Sequence, residues 1–97
     1  MAHFDLSREA HLDLSRFSEY TTEQWGLAQT RAYLDAMESR LGELAERPLM
    51  GHQRAELGHD IFSFPFESHI IFYMQTDFGI SVVRILHKRQ DPLNHVE

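Results

Sequence analysis

Three things are scarce in this sequence of 97 residues: cysteine is absent, Lys88 is the only lysine, and no long apolar segment occurs. The lack of cysteine excludes disulfides, thiolate zinc sites and a cysteine nucleophile. No apolar run approaches the roughly 18 residues that a membrane-spanning helix needs, and residues 1–6 lack the basic and apolar pattern of an export signal. We therefore expect a cytoplasmic protein.

Basic charge is also in short supply, because 9 Lys and Arg stand against 15 Asp and Glu and the formal net charge is −6. The acidic excess lies in residues 1–46, which contain four Arg and nine Asp or Glu. Affinity for nucleic acids rests mainly on cations that neutralise phosphates, so we expect no strong direct binding to DNA or RNA. Only a local basic patch could supply such a contact.

Apolar side chains, by contrast, are plentiful, since 42% of the residues are hydrophobic and seven are Phe. A chain of this length and composition forms one packed domain, which we place at residues 1–97. No repeat, low-complexity tract or linker divides it.

Two amphipathic helices are predicted in the first half of the chain. Phe4 and Leu6 alternate with polar residues and indicate a short strand, after which Ser7 can cap the first helix. Gly26 is suited to end this helix in a left-handed conformation. The predicted apolar stripe consists of Ala10, Leu14 and Phe17, and the residues expected to face water are Asp13, Arg16 and Glu19.

The second helix is expected to run from about Leu27 until Arg47 and Pro48 stop it. Its apolar face consists of Tyr33, Met37, Leu41 and Leu44. The two helices should form an antiparallel hairpin, with Trp25 and Tyr33 as an aromatic lock between them.

Beyond Gly51 the spacing of apolar residues changes from about 3.6 to 2, which indicates strands. Three strands fit residues 61–64, 69–75 and 80–87, and tight turns at 66–68 and 76–79 make them antiparallel. The predicted fold class is therefore α+β, with an N-terminal strand and an antiparallel two-helix hairpin packed on a small antiparallel sheet.

The last strand has apolar residues on both sides. Alternation places Ile80, Val82 and Leu86 on one side, and Val83 and Ile85 on the other. The helix hairpin covers one face, and no further predicted element covers the opposite face fully. We therefore expect an apolar surface that a partner can occupy.

This order of elements resembles the RelE/ParE toxin superfamily, and individual residues resemble its ParE branch. The resemblance spans nearly the whole chain. It is carried by Leu6-Ser7, Trp25-Gly26, Tyr33-Leu34, Leu44-Ala45, Ser68-His69-Ile70-Ile71-Phe72-Tyr73, Val83-Arg84-Ile85-Leu86-His87 and Asp91-Pro92. Two features depart from the ParE pattern: Met74 stands where Arg is common, and the chain is more acidic than many relatives.

The resemblance implies a toxin of a type II toxin-antitoxin system, associated with plasmid stabilisation or stress. It also implies a non-enzymatic mode of action, in which the toxin binds DNA gyrase and traps it on cleaved DNA, and a ParD-type antitoxin that neutralises the toxin. The alternative is a RelE-type endoribonuclease that cuts messenger RNA in the ribosome.

Arg84 is the first candidate functional residue, because a charge in the middle of an apolar strand requires a partner. One possibility is an internal ion pair with Glu56, Glu67 or another carboxylate. The other is an anchor for the antitoxin or the target.

His87, Lys88 and Arg89 follow Arg84 and complete the densest basic cluster of the chain. They form either a solvated strand end or a contact with gyrase, through an acidic patch or a phosphate at the gyrase-DNA junction. Tyr73 belongs either to the core or to a partner groove.

The ribonuclease alternative needs a general base, a general acid and cations near the scissile phosphate, and the residues available for it are His69, His87, Arg54 and Arg84. In the binding interpretation, His69, Tyr73 and Arg54 join the C-terminal cluster as contacts with target or antitoxin. The seven histidines form neither an HExxH motif nor an i, i+4 helical pair, so we expect no metal and no other cofactor.

Overall fold

The computed structural model describes residues 2–90 and 92–94. Its strands and α-helices are β1 (His3–Leu6), α1 (Arg8–Trp25), α2 (Leu27–Glu46), β2 (His52–Gln53), β3 (Phe62–Phe66), β4 (His69–Thr76) and β5 (Gly79–His87). Short 3₁₀ turns occupy Pro48–Met50, Ala55–Leu57 and Pro92–Asn94. Neither α-helix is apolar enough along its length to cross a membrane.

The five strands form one sheet in the order β1-β5-β4-β3-β2, and the two helices pack on it, which confirms the α+β class. The sheet is mixed, however, and not purely antiparallel, because β1 runs parallel to β5. Both helices lie between these two strands in the chain, and such a long connection allows parallel pairing. The two-residue strand β2 was not predicted.

Local signals define the helix hairpin as expected. Ser7 Oγ accepts a hydrogen bond from the Ala10 backbone N–H (3.0 Å) and caps α1. Gly26, with φ +92°, separates α1 from α2, since this conformation is costly for a residue with a side chain.

The helices bury one face of the sheet. The fully buried side chains of this core include Met37, Leu41 and Leu44 from α2 and Ile71, Tyr73, Ile80 and Val82 from the sheet. The Tyr73 hydroxyl donates to the Pro48 carbonyl (2.7 Å) and accepts from the Gly51 backbone N–H (3.0 Å). It thereby fixes the segment that leaves α2 against the sheet.

An irregularity in β5 overturns the predicted alternation of that strand. Phe72 pairs with Arg84 and Tyr73 pairs with Val82, so Val83 is an extra residue on β5 and forms a β-bulge. After the bulge the sides are exchanged: Ile85 joins the helix-side core, whereas Leu86 joins the opposite cluster with Val83. The prediction that Leu86 shares a side with Val82 was wrong for this reason.

The face opposite the helices is not left open, contrary to expectation. The segment from Arg54 to Ile61 folds over it, and Leu57 and Ile61 form a second cluster with Phe72 and Leu86, each of which is 1% exposed. A loop of this kind can cover a small apolar face without regular secondary structure. Only the half-buried residues Ile70 and Val83 remain at the margin of this cluster.

Candidate functional site

The free edge of β5 is where the candidate residues meet. β1 accompanies β5 only as far as the pair Leu6 and Val82. Beyond that point the start of α1 replaces the strand partner: Ser7 Oγ donates to the Val83 carbonyl (2.7 Å), and an Asp13 carboxylate oxygen accepts from the Ile85 backbone N–H (2.9 Å). Side chains of a helix therefore satisfy backbone groups that a strand would otherwise pair.

Asp13 also binds Arg84 in a two-pronged ion pair. Arg84 Nε lies 2.9 Å from Asp13 Oδ2 and Nη2 lies 2.8 Å from Oδ1, with the two side chains only 18% and 8% exposed, respectively. The carboxylate raises the pKa of Arg84 further above its ordinary value, chiefly through the hydrogen bond. The prediction that Asp13 faces water was wrong, because its carboxylate forms this ion pair with Arg84. Of the two interpretations of Arg84, the structure therefore shows the internal ion pair.

His69 lies beneath this edge, 5% exposed, with Nδ1 2.8 Å from the Tyr33 hydroxyl and its ring edge-on to Phe17. Burial is the main cause that lowers the pKa of His69 to about 4; the neighbouring His87 acts in the same direction, and Asp13 opposes both. His69 is therefore neutral at pH 7 and belongs to the packing between hairpin and sheet.

The end of β5 holds three exposed side chains on an anchored backbone. Lys88 N–H donates to the Ser68 carbonyl (3.0 Å), and Arg89 N–H donates to His87 Nδ1 (3.2 Å). His87, Lys88 and Arg89 are all exposed. Across residues 2–90 and 92–94, neither Lys88 nor Arg89 makes an ion pair. Two adjacent positive charges are thus presented to solvent at a fixed place.

A cleft runs along α1 from this basic strand end to the tip of the hairpin. It consists of two adjoining pockets of about 250 and 270 Å³, which share Phe17, Tyr20 and His87. We call it the α1–β5 cleft and define it by Arg16, Phe17, Tyr20, Trp25, Arg84 and His87. It combines cationic groups at one end with aromatic rings at the other.

The aromatic end of the cleft differs from the predicted lock. Tyr33 does pack against Phe17, with ring centroids 4.7 Å apart. Trp25, however, is 72% exposed and Tyr20 is 62% exposed. The prediction for Trp25 was wrong, because Trp25 ends α1 at the tip of the hairpin, where no other part of the described chain covers it.

Two of the predicted site residues lie elsewhere. Tyr73 is fully buried, so the structure assigns it to the core and not to a groove. Arg54 contacts Glu56 (2.7 Å) and Ser63 Oγ (3.2 Å), and its guanidinium lies 5.9 Å from the centre of the Phe72 ring. Since Phe72 belongs to the cluster opposite the helices, Arg54 is not brought together with the cleft.

Sequence reasoning missed four residues of the cleft region: Asp13, Arg16, Tyr20 and Trp25. A signal for the first was present, because Asp13 is three residues after Ala10 and one before Leu14, beside the apolar stripe. Arg16 and Tyr20 have i, i+4 spacing and share a helix face. Among residues 2–90 and 92–94, no group of three or more His, Asp or Glu is placed to hold a metal ion.

The comparisons with known proteins place this chain among the toxins of toxin-antitoxin systems. The structure titled "Chromosomal ParDE TA system from P. aeruginosa" has the same fold, with a TM-score of 0.74 at 15% identity over 90% of this chain and 96% of that one. Toxin ParE1 of Caulobacter vibrioides is 27% identical over 96 residues, which are 99% of each chain. Toxin ParE1 of Mycobacterium tuberculosis is 32% identical over 87 residues, 89% of each chain.

Residues 4–92 match the family described as the ParE toxin of the type II toxin-antitoxin system, parDE. The chain belongs to the ParE toxin family. The resemblance found in the sequence is thereby confirmed.

Proposed function

We propose that this chain inhibits DNA gyrase by binding it and stabilising its complex with cleaved DNA, and that it catalyses no reaction itself. Membership of the ParE family is the starting point. The observation that carries the proposal is the α1–β5 cleft, which exposes aromatic rings beside His87, after which the exposed cations Lys88 and Arg89 follow directly in the chain. A ligand that binds one state of an enzyme preferentially enriches that state, so contacts alone are sufficient for inhibition.

The acid-base groups of the cleft favour binding over catalysis. His69 is neutral and buried against Tyr33, and Arg84 is held by Asp13. Arg54, one of the cations available for a RelE-type reaction, lies on the other face of the sheet. Of the two histidines that line the cleft, only His87 is exposed, and one imidazole does not supply both a general acid and a general base.

We also propose that a ParD-type antitoxin neutralises the protein by laying an amphipathic helix along the hairpin. Phe4 from β1 and Leu34 from α2 line an apolar groove of about 290 Å³ between the two helices and the edge strand. Asp35 and Glu38 border this groove and suit basic residues on the antitoxin. The sheet face that was expected to be open to a partner is covered by residues 54–61, so the groove is the better docking place.

Supercoiling assays test the proposed target. Purified toxin should block supercoiling by gyrase and increase cleaved DNA, and the double substitution Lys88→Ala/Arg89→Ala should weaken inhibition at least tenfold. Arg8→Ala, which removes an exposed cation at the far end of α1, should leave inhibition unchanged. Messenger RNA cut at codon positions during intoxication, with normal supercoiling, would establish the ribonuclease alternative instead.

Calorimetric titration tests the proposed antitoxin contact separately. The product of the adjacent gene should bind the toxin, and Leu34→Ala should weaken binding about tenfold because it removes apolar surface from the groove. The same variant should still inhibit gyrase. Absence of binding to that product would exclude it as the antitoxin.

A further inference from the structure

We propose that the α1–β5 cleft binds single-stranded DNA directly, with bases stacked on Tyr20 and Trp25 and phosphates held by Arg16, Lys88 and Arg89. The choice of DNA over RNA rests on the proposed action at gyrase. The binding itself depends on the charge and the exposed rings of the cleft and needs no target protein.

The local charge of the cleft is opposite to that of the chain. Asp13 is the only carboxylate among the described lining residues, and its charge is already compensated by Arg84. Arg16 makes no ion pair with another described residue, and the exposed cations Lys88 and Arg89 directly follow His87, which also lines the cleft. Two acidic residues outside the lining, Glu9 and Glu67, act weakly on Arg84 and Tyr33, respectively. Exposed charges more than about 10 Å away are largely screened at moderate salt.

The rings beside these cations are placed as bases require. Tyr20 and Trp25 line the same pocket and are 62% and 72% exposed, so their faces are accessible without rearrangement. Arg16 and Trp25 are nine helical positions apart, a rise of about 14 Å along α1. A cationic groove with aromatic rings on one wall is the arrangement by which proteins hold unpaired strands without reading their sequence.

The ligand is an unpaired strand because a duplex cannot offer the same contacts. In double-stranded DNA the base faces are stacked on one another, whereas an unpaired strand exposes each face to a ring. An acidic peptide would satisfy the cations but has no series of flat rings to cover both aromatic side chains. The cleft thus suits a polymer that alternates negative charge with planar groups.

The expected affinity is modest, in agreement with the expectation from the overall acidity. Three phosphate contacts on a single strand predict a slope of log K against log salt of about −2, so binding weakens markedly toward physiological salt. Gyrase would then raise the effective concentration of strand beside the bound toxin. Direct contact with DNA at the cleavage site is in this way restricted to the complex.

The test uses Trp25, which is the single tryptophan of the chain and lies in the cleft. An oligodeoxythymidylate of about ten nucleotides, titrated into the full-length toxin without gyrase, should quench Trp25 fluorescence with a micromolar Kd at about 50 mM salt. Anisotropy of the same strand carrying a dye gives the affinity without reliance on Trp25. Because gyrase is absent, the titration tests strand binding alone. Failure to bind the strand would leave inhibition of supercoiling unaffected, and failure to inhibit supercoiling would leave strand binding unaffected.

Matched variants separate the cleft from the rest of the surface. Arg16→Glu should weaken binding more than tenfold. Arg8→Glu makes the same charge change on the same helix but outside the cleft, where salt screens the charge, so it should change the affinity less than about twofold. Tyr20→Ala should weaken binding about tenfold, and Tyr20→Phe should retain it, since stacking needs the ring and not the hydroxyl. Circular dichroism verifies that each variant is folded.

Several outcomes would overturn the proposal. These are no quenching and no anisotropy change at low salt, equal losses for Arg16→Glu and Arg8→Glu, and duplex DNA bound as tightly as the single strand. Tighter binding of oligouridylate would reassign the cleft to RNA. Equal quenching by polyglutamate would reassign it to an acidic peptide.

Discussion

The two halves of β5 show two ways in which one strand can be supported. Its first half, from Gly79 to Val82, lies between β1 and β4 and is hydrogen-bonded to strands on both sides. Its second half, from Val83 to His87, keeps β4 but has lost β1, and side chains of α1 take over its edge. The first half is core, whereas the second half contributes Arg84 and His87 to the cleft.

The difference shows how a very small domain can combine stability with an accessible site. A strand paired on both edges offers no backbone group and little side-chain surface to a partner. Where a helix side chain such as Asp13 replaces a whole strand, the edge is satisfied by fewer atoms, and neighbouring side chains such as Arg84 and His87 remain near the surface. We therefore expect different kinds of substitution in the two halves of β5 to lower the stability of the fold.

The largest effect is expected in the first half, from Gly79→Ala. Gly79 has φ +145°, and a Cβ there would overlap the His3 carbonyl oxygen in β1. The strained backbone at residue 79 and the displacement of β1 together should lower the free energy of unfolding by about 4 kcal/mol. Urea denaturation measures this, with Gly42→Ala as the control: Gly42 lies in α2 with open space around it, so alanine there should be neutral or stabilising.

The next largest effect is expected in the second half, from Asp13→Ala. This change leaves the mostly buried Arg84 without its carboxylate and the Ile85 N–H without an acceptor, at a cost of about 3 kcal/mol. Asp13→Asn keeps a neutral acceptor and should lose less, and Asp35→Ala on the exposed side of α2 should stay within about 0.5 kcal/mol of the original. An Asp13→Ala variant as stable as the original would show that the edge does not depend on this side chain.

A smaller effect is expected from pH, because His69 lies beside the second half only. Its pKa is about 4 in the folded chain and 6.5 in the unfolded one, so the unfolded chain binds the proton more readily. Stability is therefore complete above about pH 7 and falls by about 2 to 3 kcal/mol as the pH drops toward 4. Urea denaturation at several pH values measures this loss of stability. His69→Gln should remove this part of the pH dependence, whereas the control His59→Gln, at a highly exposed position, should keep it.

Much of the fold could be read from local signals in the sequence. Ser7 and Gly26 bound α1, Pro48 follows α2, and the change to a two-residue period locates the last three strands, because each of these effects acts within a few residues. The bulge at Val83 could not be read in the same way. It lies within a run of mostly apolar residues. In such a run, moving the following side chains to the opposite face of the sheet leaves both faces apolar, so the alternation of apolar and polar residues does not reveal it.

The cleft was only half predictable for a related reason. The basic cluster at His87, Lys88 and Arg89 is local and stands out in an acidic chain. Its neighbours Arg16 and Tyr20 are about 70 positions away in sequence, and they become neighbours only because α1 follows the edge of β5. Helix periodicity states which residues share a face, but not which strand that face will meet.

The parallel pairing of β1 with β5 also bears on synthesis of the protein. Ser7 and Val83, which are hydrogen-bonded, are 76 positions apart, so the first strand has no partner until the last one has left the ribosome. Until then β1 has no strand to pair with, and the edge of β5 that contacts α1 is not yet formed. The complete cleft therefore exists only after translation has passed the end of β5.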